Sequence, residues 1–337
     1  MDIQRNYQER SLFWPLLLIG VGLVWLFSNL GILQPASLGV LFRLWPLILI
    51  VIGLNLLFGR RSPALSNLIG IGSVVVIIGL MLLGPSLGWA QGAEVKTAAY
   101  SEPMGDVESA QVHLDLAVAD AHVKALSDAD NLFEANVSYT GDMVFDVRGE
   151  GQKIITLSEE NQFNQGVNFW DWNFFDGNDL RWDITLNPDV PLDLDVSSGV
   201  GNSDLDLSDL QLTRLNVDSG VGSMNLSLPV MPDMYDVTIN AGTGSIDIGI
   251  VEGSMLKLDI SGGVGSVTID VPDSAAVRIE GSTGVGGIDV PANYQQVSGD
   301  ESDFVGERGV WQSENFESAS EQITIEFDGG VGGLTIK

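Results

Sequence analysis

The stretch LDLDVSSGVGNSDLDL, residues 192–207, decides the fold of this chain. Apolar residues alternate with polar ones on both sides of a Gly-Val-Gly triplet that begins at Gly199. Period-two alternation is typical of a β-strand with one buried face. Glycine permits the positive φ and the close backbone approach of a tight corner. The stretch is therefore predicted to form two half-buried strands joined at a glycine corner.

The same pattern recurs at an almost constant interval. Successive Gly-Val-Gly or Gly-Thr-Gly triplets begin 21, 22, 21 and 21 residues apart, and a sixth begins 46 residues later. Every copy carries an aliphatic residue five positions before and six positions after its first glycine. Internal repeats of this length indicate one structural unit stacked on its neighbours. We interpret the first glycines as structural turn residues: Gly199, Gly220, Gly242, Gly263, Gly284 and Gly330.

Two strands with one solvent-exposed face are not stable alone, so the repeat units must stack on one another. A β-solenoid, in which each coil adds about 4.8 Å, meets this requirement. A sandwich of antiparallel hairpins is the alternative. The constant step and the fixed apolar columns favour an all-β solenoid of about 21 residues per coil over residues 107–337. Its first copy is degenerate, with Ala117 and Ala119 in the glycine places.

Two insertions interrupt the repeat. Residues 293–320 are polar and replace about one coil, whereas residues 162–182 combine six large aromatic side chains with Asn and Asp. So many aromatic residues exceed the needs of a polar loop. They form either a cap on an open solenoid end or a docking surface for a membrane lipid or a partner protein. The candidate docking residues are Phe169, Trp170, Trp172, Phe174, Phe175 and Trp182.

The first ninety residues are apolar and do not alternate. Residues 12–33 and 68–89 each contain 22 residues without a charge, and residues 40–59 form a further apolar stretch. Twenty-two helical residues extend roughly 33 Å, enough to cross a bilayer core. We predict an α-helical membrane region with three spans over residues 1–90, followed by a stalk at residues 91–106.

Basic residues set the predicted orientation of this region. Arg5 and Arg10 precede the first span, Arg60 and Arg61 lie between the second and third, and the first loop has none. The positive-inside rule then places the N-terminus in the cytoplasm and residues 91–337 outside the cell membrane. A re-entrant hairpin over residues 12–59 would invert this topology.

Charge and composition exclude several classes of function. The 337 residues include 45 Asp and Glu against 15 Lys and Arg, a net charge of −30. Such an acidic chain does not bind nucleic acid by neutralising phosphates. The absence of cysteine excludes a disulfide scaffold, a thiolate metal site and a cysteine nucleophile.

Neither a catalytic nor a metal-binding pattern is found in the acidic part. The calcium-binding β-roll repeat requires an aspartate where this chain has Val267, and its period is nine residues. His113 and His122 are expected on the outer surface. Asp193 and Asp195 have a spacing that could mimic a glycosidase pair, but they belong to a flat, solvent-facing strand. We therefore expect no enzyme activity, no cofactor and no metal site.

Two sets of motifs resemble one family of bacterial membrane proteins. Trp14-Pro-Leu recurs as Trp45-Pro-Leu and looks like the membrane region of LiaF-like proteins. WDITLNPDVPLDL at residues 182–194, followed by Gly-Val-Gly and LDLSDL, looks like their C-terminal domain, which is named for the response to cell-wall-active antibiotics. The repeats also resemble toast-rack and adhesin-like domains of β-solenoid type.

The resemblance implies a bacterial envelope protein that modulates a membrane sensor histidine kinase of a stress-response two-component system. It brings no catalytic residues to carry over. The implied partners are the lipid bilayer and that kinase. A membrane-anchored adhesin-like or structural surface module is the alternative.

Overall fold

The computed structural model describes Ile50, Gly72, Val76 and Gly79, which are helical, and residues 95–127, 130–160, 180–300 and 306–337. Almost all of the predicted membrane region therefore lies outside the described residues. Among the residues that are described, no helix is both long and apolar enough to cross a membrane. The described residues from Val95 onward are all-β.

This part is built from β-strands that follow the predicted alternation, with apolar side chains inward and polar ones outward. A single short 3-10 helix, Phe316–Ser318, accompanies them in the described ranges. The strands are β1 (Lys96–Pro103), β2 (Ser109–Val118), β3 (Asp120–Ala125), β4 (Asn131–Tyr139), β5 (Asp142–Arg148), β6 (Gln152–Glu160), β7 (Arg181–Leu186), β8 (Pro191–Val200), β9 (Ser203–Asp206), β10 (Gln211–Val221), β11 (Met224–Ser227), β12 (Tyr235–Gly249), β13 (Leu256–Asp270), β14 (Ala276–Val285), β15 (Ile288–Asp289), β16 (Tyr294–Asp300), β17 (Arg308–Ser313) and β18 (Gln322–Ile336).

Parallel pairing between successive repeats confirms the solenoid and excludes the hairpin sandwich for the described repeats. β8 pairs in parallel with β10, and β10 with β12, so that Leu194, Leu215 and Val237 stand opposite one another. Beyond the corner, β9 pairs in parallel with β11, and β11 with β12. In β12, β13 and β18 the two halves of a coil form one continuous 15-residue strand.

The coils do not stack in sequence order at either end. The coil β2–β3 lies between β6–β7 and β8–β9. At the other end β18 lies between β13 and β14–β15. The sixth repeat of the sequence therefore precedes the fifth in space. The described coils run in the order β6–β7, β2–β3, β8–β9, β10–β11, β12, β13, β18 and β14–β15.

Antiparallel strands close both ends of the stack. β5 pairs with β6, while β4 pairs with β7 and β1 with β4. At the opposite end β17 pairs with β14, and β16 with β17. Capping strands cover the edges of the coils, which would otherwise be templates for aggregation. A half-buried ion pair between Lys153 of β6 and Glu102 of β1 joins the outermost coil to a cap strand.

The caps correct two boundaries predicted from the sequence. Residues 91–106 were expected to form a stalk, but Lys96–Pro103 is strand β1 of the fold. Residues 293–320 were expected to replace a coil, but they supply β16, β17 and the 3-10 helix of a cap. Both errors have one cause, since these cap strands lack the glycine triplet that marks a coil.

The core is a stack of aliphatic columns with one tryptophan near each end. Leu194, Leu215 and Val237 are completely buried. Each such side chain contributes about 1.5–3 kcal/mol relative to an exposed position. Trp182 stands opposite the small Ala121, and Trp311 approaches the position that a Cβ on Gly281 would take. The small residues make the space that the two indoles fill.

Candidate binding surfaces

The turn glycines lie at the corner between the two strands of each coil. A Cβ atom on Gly220 would collide with the carbonyl oxygen of Gly199 in the neighbouring coil. The second glycine of the same triplet, Gly222, has a φ of 155° and would collide with the Gly201 carbonyl. A first glycine therefore allows the coils to approach, and a second glycine also supplies the positive φ. The same collision with an adjacent coil would arise at Gly199, Gly220, Gly242, Gly263, Gly284 and Gly330.

The aromatic insertion is only partly within the described residues. Phe169, Trp170, Trp172, Phe174 and Phe175 lie outside them. Trp182 is completely buried in β7, so its inclusion in a docking surface was wrong. Its indole N–H has no hydrogen-bond partner within the described ranges. The alternation Trp182, Ile184 and Leu186 already places this side chain on the inward face of a strand.

A cleft of about 740 Å³ lies between the outer face of the last coils and the β16–β17 hairpin. The hairpin side contributes Ser298, Gly299 and Arg308. Four carboxylates line the coil side, and they come from three successive rungs: Asp259, Glu280, Glu326 and Asp328. The sequence does not reveal this cleft, because the carboxylates are scattered along the chain and the out-of-order β18 brings them together.

The cleft is acidic and incompletely neutralised. Lys257 Nζ lies 3.0 Å from Glu326 Oε1, and the pKa of Lys257 is raised, chiefly by this hydrogen bond and by the charge of Glu326. Arg308 donates a hydrogen bond to Ser282 Oγ at 3.3 Å. In the described part of the chain, no cation lies within ion-pair distance of Glu280 or Asp328. Like charges on adjacent strands repel, so this surface has an electrostatic cost in the free protein.

The two histidines each face an aspartate of the next coil. His113 Nδ1 lies 2.8 Å from Asp195 Oδ2, and His122 Nδ1 lies 3.6 Å from Asp204 Oδ2. Both histidine side chains are 37% exposed, as expected for surface histidines. In the described ranges no three His, Asp or Glu side chains are grouped so that they could hold a metal ion. The pairs are compatible with cross-strand stabilisation of the outer faces.

Two family models match the chain. Residues 13–99 match the LiaF transmembrane domain, and residues 91–249 match the N-terminal domain of toast_rack. Together the matches extend over residues 13–249. The search of curated proteins gave no match. The crystal structure of a candidate cell adhesion protein from Clostridium sporogenes is similar at 19% identity, over 72% of this chain and 99% of that chain, with a TM-score of 0.48.

Proposed function

We propose that this chain, a LiaF-like protein with a toast-rack domain, is a non-enzymatic multi-pass membrane protein of the bacterial cell envelope. In this role it modulates an envelope-stress two-component system. Its helices contact a membrane sensor histidine kinase, and its acidic solenoid senses or shields the envelope. The match of residues 13–99 to the LiaF transmembrane domain carries the proposal. It agrees with three apolar stretches in the same residues.

The proposed domain organisation has three parts. Residues 1–90 form the membrane region, with spans near residues 12–33, 40–59 and 68–89, and the short segment before β1 links it to the solenoid. The arginines beside the first span and between the second and third spans support a cytoplasmic N-terminus. They also support an extracytoplasmic location for residues 91–337.

The solenoid acts through its surfaces in this proposal. Most of its charged groups lie on open strand faces or in an open cleft, and a general acid–base pair would need a positioned substrate and a matched environment. Five aromatic residues remain the proposed docking surface for a lipid or for the kinase: Phe169, Trp170, Trp172, Phe174 and Phe175.

The direct test is deletion of the protein from its own cell, with a reporter of the envelope-stress response. Addition of a cell-wall-active antibiotic should then change reporter expression by several-fold relative to the parent, and the full chain should restore the parental response. A copy with Trp170→Ala and Trp172→Ala should reach the membrane but fail to restore it. A matched copy with Val297→Ala, at an exposed position of β16, should restore it.

The side of the membrane on which the solenoid lies tests the proposed topology. Together with the deletion response, it separates the regulator from the surface module. Because the chain has no cysteine, Ser62→Cys and Ser101→Cys each introduce a single thiol, and Ser101 is exposed in β1. Labelling of intact cells with a membrane-impermeant maleimide should reach the Ser101→Cys protein and not the Ser62→Cys protein. The opposite pattern would place the solenoid in the cytoplasm and contradict the proposed topology. A response unchanged by deletion, with outward labelling, would favour the adhesin-like or structural module.

A further inference from the structure

An apolar ridge runs along the corner of the solenoid. The residue between the two glycines of each triplet lies opposite the equivalent residue of the next coil. Its five valines are 47–57% exposed, and each of them lies between two glycines along its strand. At about 4.8 Å per coil, six rungs extend over roughly 24 Å. In spatial order the ridge consists of Val200, Val221, Thr243, Val264, Val331 and Val285.

The ridge lies in an uncharged strip of a very acidic chain. The five residues centred on each ridge position contain no Asp, Glu, Lys or Arg, in a chain with a net charge of −30. Carboxylates begin just outside the strip, at Asp218 and Asp328 for example. Two more lie at its ends, where Asp120 accepts a hydrogen bond from the Asn202 N–H and Glu307 accepts one from the Ile288 N–H. The six five-residue segments that form the strip are residues 198–202, 219–223, 241–245, 262–266, 329–333 and 283–287.

The shape of the strip is complementary to itself. Glycines on both sides of each ridge residue leave bare backbone, so a row without side chains runs along either side of the valines. The valine ridge of one copy can pack into the glycine groove of a second copy. The ridge of the second copy can pack into the groove of the first in the same way. Such an arrangement is the isologous contact of a two-fold dimer.

We propose that this strip, the corner ridge with its flanking glycines, is a self-association surface whose occupant is a second copy of this chain. Two domains of the same high negative charge repel each other where carboxylates face, and the middle of the strip, from Val221 to Val331 in spatial order, contains no charged residue. Contiguous exposed apolar residues also gain from being covered. A bilayer is a poorer occupant, because insertion of a shallow ridge brings the acidic strand faces toward lipid headgroups.

The area predicts a weak contact. A strip of these dimensions buries on the order of 1,000 Å² between two copies, which falls in the range of transient interfaces. The LiaF transmembrane match places the chain at a membrane. Confinement to a membrane raises the effective concentration of one copy near another, so a weak contact is sufficient there.

Disulfide cross-linking of the full chain in isolated membranes tests the proposal. Thr243→Cys and Val264→Cys each place a single thiol near the middle of the strip, where a two-fold axis would bring identical residues together. Val230→Cys and Val251→Cys are matched controls, because these valines are 48% and 47% exposed but lie in turns away from the corner. After mild oxidation, the two corner variants should give several-fold more cross-linked dimer than the controls. Equal yields would overturn the proposal.

A charge substitution gives the second arm. In the Thr243→Cys background, Val221→Glu places a carboxylate in the strip of both copies, and a buried like-charge pair is strongly unfavourable. Cross-linking should fall to the control level, whereas Val230→Glu in the same background should leave it unchanged. Both sites are exposed, so folding is retained, which circular dichroism checks. Corner thiols that are shielded from an impermeant maleimide but do not cross-link would assign the strip to lipid or another protein and overturn the proposal.

Discussion

At the scale of single residues, the second glycine of each triplet is constrained in two ways. Gly265 has a φ of 153°, and a Cβ there would collide with the backbone carbonyl of Gly244. A side chain therefore meets two independent obstacles, an unfavourable backbone conformation and a backbone oxygen that cannot rotate away.

We expect Gly265→Ala to destabilise the solenoid by at least about 1–3 kcal/mol, the usual cost of a strained backbone. The matched control is Gly249→Ala, because its nearest neighbour would be 4.0 Å away and its φ is not positive. Thermal unfolding followed by the far-ultraviolet β-signal measures both. Equal midpoints for the two variants would contradict the steric interpretation of the corner.

Tyr235 gives a residue-scale prediction about pH. Its hydroxyl donates a hydrogen bond to the Pro229 carbonyl at 2.9 Å, and burial raises the pKa of the phenol well above 10.0. Since the folded protein holds this proton more tightly than the unfolded chain, the contribution is complete below pH 10 and is lost as the pH rises above it. Tyr235→Phe should cost about 0.5–1.5 kcal/mol at neutral pH.

The pH dependence distinguishes this role from packing alone. Above pH 10 the stability of the parent should fall more steeply than that of the Tyr235→Phe variant, because only the parent must bury an ionisable hydroxyl at this site. Denaturant titrations of both proteins at neutral and alkaline pH measure the difference. Parallel curves would show that the buried phenol does not contribute to alkaline unfolding.

Trp182 shows how much of a candidate site the sequence can predict. Composition grouped it with the five aromatic residues of the insertion, although it also alternates with Ile184 and Leu186. That alternation is the better guide to this residue, since burial is set by the face of the strand and not by the number of aromatic neighbours. The acidic cleft could not be predicted, because it depends on which rungs become neighbours.

At the scale of elements, the apolar columns predicted the coils but not their order. The edges of all coils present the same backbone donors and acceptors and the same aliphatic columns, so any coil can stack on any other. Order is therefore decided by the connections. The 46-residue interval before Gly330 allows β16 and β17 to form a cap first and β18 to return between β13 and β14.

The position of β18 makes a prediction that sequential stacking would not make. Removal of residues 322–337 should leave an unfilled slot between β13 and β14 and expose two long strand edges. Five buried side chains would be lost with it: Ile323, Ile325, Phe327, Leu334 and Ile336. Hydrogen exchange should then show that β13 and β14 both lose protection, while β10 keeps it.

Two further variants sharpen this test. A separate peptide of residues 321–337 should restore hydrogen-exchange protection to β13 and β14 if the gap between these two strands can still bind it. Val297→Asp, at a 58% exposed position of β16, should leave protection of all three strands unchanged. If truncation affected β14 and not β13, β18 would not lie between them.

At the scale of the whole molecule, the solenoid must tolerate a large negative charge. Parallel in-register stacking repeats each outward position on every rung, so it places Glu280, Glu326 and Asp259 in adjacent positions. Like charges in this geometry repel, and Lys257 neutralises only part of the row. Salt should therefore stabilise the folded state, because it weakens the repulsion between exposed charges, most of all between those separated by more than the Debye length of about 10 Å at 0.1 M ionic strength.

We expect the unfolding midpoint to rise between low and moderate sodium chloride, and to rise less in Glu280→Gln, which removes one charge from the row. Glu317→Gln is the matched control, since it removes one exposed carboxylate that lies outside the row and should change the salt dependence less. Calcium chloride at matched ionic strength separates screening from binding. Equal midpoints in the two salts would fit a diffuse cation atmosphere. A much larger rise of the unfolding midpoint with calcium, abolished by Glu280→Gln, would instead show an ordered cation site in the cleft. That result would contradict the prediction that no metal site is present, which was made from the missing aspartates of the repeat.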